Sequence, residues 1–224
     1  MSIMYTDTYP PSLLSTMKIL IADDHEIVRK GLKQILMEHY AGARIVEVSD
    51  GLQLVEMAMT DDWDIVISDI SMPKMNGVEA LKKIKDSKPE LRVLMLSIHS
   101  EDQYALRVFK AGAHGYMTKD MAEQELVKAV EKVITGKKFI SPSFAEKLAE
   151  ALDAQSSETT HEALSDREFH VFKFLATGKS ISEIATTMGL NVSTVSTYRS
   201  RIFEKMGMKS NADITRYCIE KGLI

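Results

Sequence analysis

Asp23, Asp24, Asp69, Ser97 and Lys119 are the side chains of this chain best placed to do chemistry, because each follows directly on a short apolar run. Lys18–Ala22 leads into Asp23-Asp24, Asp64–Ser68 into Asp69, Arg92–Leu96 into Ser97, and Gly115–Thr118 into Lys119. The three carboxylates, read as a set with no histidine or cysteine beside them, suit a hard, oxygen-seeking cation. Mg2+ fits best, since it keeps several waters and takes one or two carboxylates plus phosphate oxygens. Asp69 is then placed as a nucleophile toward a phosphoryl group, giving an acyl phosphate. The cation and Lys119 would neutralise the transferred oxygens, and Ser97 would donate a hydrogen bond to one of them.

The elements needed to bring these residues together are strands alternating with helices. Each apolar run is followed by a helical stretch, so the sheet should be parallel and doubly wound. Ligands of such sheets bind beyond the carboxyl ends of the strands, where all five residues fall. Val28, Leu32, Ile35 and Leu36 recur at helix spacing, as do Val78, Leu81 and Ile84 after Asn76-Gly77. Leu126, Val130 and Val133 mark a last helix ending at Gly136.

Beyond Gly136 the pattern changes. Residues 137–162 read as a linker, with a short helix carrying Phe144, Leu148 and Leu152, and a polar stretch Gln155–Thr160 without any apolar residue. From Ala163 only helices follow. Ser165 and Glu168 form a capping box. Ser180–Met188 is a short helix stopped by Gly189, Val192–Met206 a longer one closed by Gly207, and Asp213–Ile219 a fourth. Short helix, glycine turn and longer helix make the helix-turn-helix layout. On the longer helix Val195, Ile202 and Met206 share an anchoring face. Ser196, Thr197, Arg199, Ser200 and Arg201 spread over the remaining faces, with Lys205 further on. That pattern suits either an ordinary solvated helix face or DNA contact, with short polar groups for base edges and long cations for phosphates.

Length and charge agree with two domains. At 224 residues the chain exceeds one typical domain. Residues 1–160 hold 19 Lys and Arg against 25 Asp and Glu, whereas residues 161–224 hold 9 against 7. A mildly basic second part permits a nucleic-acid partner. The single cysteine, Cys218, excludes an internal disulfide and fits a reducing, cytoplasmic location. No run reaches the roughly 18 apolar residues of a membrane span. Residues 1–16 lack signal-peptide character and read as a disordered extension, with Met17 an alternative start.

Two resemblances sharpen this reading. Residues 17–135 resemble the receiver domain of two-component response regulators, through Asp23-Asp24-His25, Asp69-Ile70-Ser71-Met72-Pro73-Lys74-Met75-Asn76-Gly77, Ser97 and Gly115-Tyr116-Met117-Thr118-Lys119-Asp120. Residues 163–222 resemble the LuxR-type four-helix DNA-binding domain, through Leu164–Glu168, Gly178–Ala185 and Ser193–Ile202. The second resemblance favours DNA contact by the longer helix and adds Ser193 and Thr194 to its candidate residues. Together they make the chain similar to NarL/FixJ-family response regulators. The resemblance implies a receiver at 17–136 with a five-stranded parallel sheet in the order 2-1-3-4-5, followed by the helix-turn-helix domain at 163–224. It implies phosphorylation of Asp69 by a sensor histidine kinase. Asp24 would bind Mg2+ directly, Asp23 through water, and the Ser71 carbonyl would be a further ligand alongside Asp69. Ser97 and Tyr116 would be the switch pair, remodelling the surface around Gln103–Lys110. The partners would be double-stranded DNA with paired half-sites and a second copy, the chain forming a homodimer when phosphorylated or DNA-bound.

Three departures matter. Ile98 follows Ser97 where the family often has a smaller residue, and Ser196 and Ser200 stand where some relatives carry lysine. Aspartate-nucleophile phosphatases place a second acid two residues beyond the nucleophile, and Ser71 occupies that position here. The expectation is therefore a transcription regulator that accepts a phosphoryl group and can lose it by autodephosphorylation, not a turnover enzyme.

Overall fold

The computed structural model describes residues 17–98, 101–141, 145 and 161–224, the side chains of residues 101–103 excepted. The expected extension at 1–16, the Phe144–Leu152 helix and the Gln155–Thr160 stretch lie outside the described residues. The chain folds as two compact units. Of the described residues, one unit holds 17–98 with Val108–Ile140, and the other 101–107 with 141, 145 and 161–224.

In the first unit, apolar runs bounded by turns become β1 (Lys18–Ala22), β2 (Arg44–Val48), β3 (Ile65–Asp69), β4 (Val93–Ser97) and β5 (Gly115–Thr118). The intervening amphipathic stretches become α1 (Glu26–His39), α2 (Gly51–Thr60), α3 (Gly77–Ser87), α4 (Glu101–Lys110) and α5 (Ala122–Ile134), of which α4 is divided between the two units at Arg107. All strand pairs are parallel, in the order β2-β1-β3-β4-β5. β3 and β4 are buried along their whole length, as strands covered on both faces must be. Ile19, Ile21, Ile67, Leu94 and Leu96 pack with Leu36 of α1 and with Leu126, Val130 and Val133 of α5. Each such side chain contributes roughly 1.5–3 kcal/mol by leaving water. No helix among the described residues is long and apolar enough to cross a membrane.

Two glycines decide how closely the loop after β3 can pack. A Cβ on Gly77 would lie 2.0 Å from the Asp69 carbonyl oxygen, and one on Gly51 would lie 2.1 Å from that of Met75. Only a residue without a side chain admits these backbone approaches. Lys74 between them has φ +64, and its ammonium reaches Asp50 Oδ2 at 2.5 Å. Asp50 is itself 2 % exposed and caps α2 by accepting from the Gln53 amide.

The second unit contains α6 (Asp166–Ala176), α7 (Ile181–Met188), α8 (Val192–Met206) and α9 (Asn211–Glu220). Three of these open on capping boxes: Ser165 with Glu168, Ser180 with Glu183, and Ser210 with Asp213. Gly189 and Gly207 end α7 and α8 in the left-handed conformation. Phe169, Val171, Phe172, Leu175, Ile184, Val195, Ile202, Ile214 and Cys218 are buried. The Arg107 guanidinium also belongs to this unit, donating to the Leu164 carbonyl at 2.7 Å. Glu168 does two jobs. It closes its capping box and takes the Lys205 ammonium at 2.7 Å, tying α8 to α6. Burial works against its charge, but Lys205 and the Ser165 bonds hold its carboxyl below the usual range.

Each unit has a titratable group on which its stability should depend, the buried Glu168 in the second and the half-buried His114 in the first. Lys205→Met leaves the buried Glu168 carboxylate without its cation and should destabilise the second unit by about 1–3 kcal/mol, read by far-UV circular dichroism during urea unfolding. In the first unit, burial and the nearby Lys85, Lys138 and Arg92 charges push His114 down to about 4. Its Nδ1 lies 3.4 Å from the Val93 amide, which can donate to it while the ring is neutral. Between pH 6.5 and 4 the unfolded chain therefore binds more protons there than the folded one, and stability falls as pH falls. Allowing for partial exposure, the loss at pH 5 should be about 1 kcal/mol. Fluorescence of Trp63, the single tryptophan, reports this unit's unfolding. His114→Asn should flatten that part of the pH profile.

Candidate functional site

The four strand ends converge as their spacing requires. β3 is central, so Asp69 lies between the ends of β1 and β4, and β5 brings Lys119 in beyond Ser97. Lys119 Nζ sits 2.8 Å from Asp69 Oδ2 and 2.6 Å from Asp23 Oδ2. Asp23 is fully buried and Asp69 only 2 % exposed, whereas Asp24 faces solvent. Arg29 holds the turn by donating to the Asp23 carbonyl at 2.7 Å.

Burial sets the electrostatics. It pushes the Asp69 carboxyl up to about 6, against the lowering effect of Lys119 and with a further push from Asp23. Burial also opposes the Lys119 charge, but Asp69 and Asp23 more than offset it and raise that ammonium. At neutral pH Asp69 is thus an ionised, poorly solvated carboxylate, a state that favours reaction with an electrophile.

Sequence reasoning went astray at His25. The acids are not free of histidine: ligand atoms of Asp23, Asp24, His25 and Asp69 all lie within 4.8 Å of one another. The imidazole Nδ1 is 2.8 Å from Asp24 Oδ1 and 3.2 Å from Asp23 Oδ1. The signal was available, since His25 directly follows the acid pair. The donor set still fits Mg2+, because three carboxylates offer hard oxygens within reach of one ion, Asp24 from the solvent side. Ser71, expected to add its carbonyl, is half-buried, and its backbone N–H supports the Asp69 carboxylate. Ser97 and Tyr116 are both fully buried, while Ile98 is 74 % exposed and leans into solvent.

On α8 the anchoring face is Val195, Ile202 and Met206, all buried. Ser193, Thr197, Ser200 and Arg201 are exposed, and Thr194, Ser196 and Arg199 half-buried. The cations are unequal. Arg201 has no ion pair among the described residues. Arg199 lies 4.4 Å over the Phe203 ring and donates from Nε to Asn211 at 3.0 Å. Lys205, expected among the phosphate contacts, is engaged by Glu168. Thr197 and Ser200 hydroxyls donate back to the carbonyls of Ser193 and Ser196.

Comparison with known proteins agrees with this geometry. Residues 19–131 match the response regulator receiver domain, and residues 162–218 the luxR family of bacterial regulatory proteins. The response regulator UvrY of Escherichia coli K12 is 34% identical over 207 residues, covering 92% of this chain and 94% of that protein. The response regulator GacA of Pseudomonas aeruginosa is 32% identical over 209 residues, covering 92% and 97%. A structure of RcsB from Salmonella enterica serovar Typhimurium, bound to a promoter in the presence of phosphomimetic BeF3−, superposes with TM-score 0.56 at 26% identity, covering 90% of this chain and 97% of that one. A receiver sheet closing on Asp69 and a LuxR-type helix-turn-helix unit thus occur in one chain, which belongs to the NarL/FixJ family of two-component response regulators.

Proposed function

We propose that Asp69 accepts a phosphoryl group from a sensor histidine kinase, with Mg2+ at Asp23, Asp24 and Asp69, and that the acyl phosphate controls dimerisation and promoter binding. The observation that carries this reading is the buried Asp69 carboxylate at the end of the central strand, with the Lys119 ammonium 2.8 Å away and the Asp23-Asp24 pair beside it. An Asp69 oxygen attacks phosphorus as the bond to the donor nitrogen breaks, and the leaving imidazole keeps that electron pair. Bound Mg2+ supplies charge neutralisation for the phosphoryl oxygens. Lys119 exchanges its contact with Asp69 for one with the phosphoryl group, so no new cation has to be desolvated. Ser97, at the end of the adjacent strand, donates to a phosphoryl oxygen, and Tyr116 on β5 responds to that movement. A ligand shifts an equilibrium only through differential contact with its two states, and this hydroxyl supplies one.

Output to DNA is assigned to α8 in the major groove. The exposed Ser193, Thr197 and Ser200, with the half-buried Thr194 and Ser196, address bases directly or through water, and Arg201 grips phosphate. A domain this small needs a second copy for useful affinity, so paired half-sites about 10 bp apart are expected.

Incubation with acetyl phosphate and Mg2+ should add one phosphoryl group by intact mass, and Asp69→Asn should add none; an Asp69→Asn chain that still gains it refutes the assignment. Arg201→Ala should weaken binding to all sequences alike and lower the salt slope by about one. Selection of bound duplexes from a random pool by the phosphorylated protein should return near-palindromic pairs. Enrichment of single half-sites would argue against a dimer.

A further inference from the structure

Resting on that reading of the acid site, we propose that the His25 imidazole is itself a metal ligand and makes this receiver prefer nitrogen-seeking divalent transition metals to a degree its carboxylates alone would not. His25 stands at the N-cap of α1 with extended backbone, yet its side chain makes no cap hydrogen bond. Its backbone N–H donates to Asp23 Oδ1 at 2.8 Å, fixing the turn, and the ring folds back over the acids. The resulting distances, 2.8 Å to Asp24 and 3.2 Å to Asp23, are telling. Adjacent ligands of an octahedral ion with bonds near 2.1 Å are separated by about 3 Å. The imidazole therefore stands off two carboxylate oxygens by the separation of neighbouring ligands around one ion. It is also available, since its side chain is 62% exposed.

The chemistry of the donors then sets the preference. Mg2+ gains little from imidazole, whereas Ni2+, Co2+ and Zn2+ bind it well. Asp24 and His25 would supply one oxygen and one nitrogen on the open side, with Asp69 and Asp23 behind them. A site of carboxylates alone would also favour these metals over Mg2+, so the informative quantity is how far the preference depends on His25.

The test is calorimetric titration of the full unphosphorylated chain with Ni2+ alone and with Mg2+ alone, repeated for His25→Gln and Asp24→Asn. Visible spectra of the Co2+-loaded chains supply a second readout. The expected result is that His25→Gln weakens the Asp24-dependent Ni2+ site about tenfold or more, changes Mg2+ affinity by less than about threefold, and shifts the Co2+ absorption bands. Equal weakening of both metals would make His25 a structural support and overturn the proposal. So would unchanged Ni2+ affinity, or Ni2+ binding indifferent to Asp24→Asn, which would place the metal at other histidines. Phosphorylation of the unaltered chain with Mg2+ and acetyl phosphate is read in parallel. If it proceeds while His25→Gln keeps its Ni2+ preference, the ligand assignment alone falls. If Asp69 is never phosphorylated, the parent reading falls whatever the metals do.

Discussion

Two carboxylates buried side by side, with one ammonium between them, set the terms for the first unit. Lys119 lies between the buried Asp23 and Asp69 carboxyl groups and is the cation that the chain itself provides there. Its single positive charge is shared, and Asp69 remains pushed up to about 6. Such a site is held short of electrostatic balance. On the proposed function, a divalent cation or a phosphoryl group with its own cation would relieve it, and the free energy of that relief would be available to drive a change elsewhere. On the function proposed above, stability is set aside here for reactivity, as is common where buried groups carry function.

The second unit is arranged on the opposite principle, with each polar end closed locally. Capping boxes satisfy the first turns of α6, α7 and α9, and the buried Glu168 finds both Ser165 and Lys205. α8 is the exception. Asn191 makes no side-chain cap bond, and the helix is held instead by Val195, Ile202, Met206 and the Lys205 tether. Its remaining faces, with Arg201 and the short hydroxyl side chains, stay open to a partner.

How much of this was legible follows from what each residue depends on. Strands β1, β3, β4 and β5 announced themselves as apolar runs, because burial on both faces demands one. β2 did not: it is an edge strand, carries Arg44 and Glu47, and is only half-buried. The acids and Lys119 were legible because strand ends in a parallel sheet point one way. His25 stood beside the acid pair in sequence, but that its ring folds back onto the carboxylates is a conformation that spacing does not encode. The Lys205 tether to Glu168 was not legible for a similar reason. Its partner lies 37 residues away on another helix, and helical phase alone could not distinguish it from Arg201.

The packing around Asp69 also bears on where a phosphorylation signal would travel, on the reading proposed above. The loop leaving β3 is braced on both sides. Gly77 meets the Asp69 carbonyl and Gly51 meets that of Met75 at distances that admit no side chain, and Lys74 is pinned to Asp50. The amide of Ile70 is fixed to the Leu96 carbonyl, and that of Gly77 to the Ile70 carbonyl. A close-packed, hydrogen-bonded loop resists gradual deformation. On the other side β4 pairs with β3 through its backbone, and its end brings the buried Ser97 beside Asp69, with the buried Tyr116 on the next strand. Side chains change rotamer at far lower cost than interlocked backbone moves, so on that reading a new charge on Asp69 would act through the Ser97 and Tyr116 side chains of β4 and β5 rather than by deforming the loop into α3.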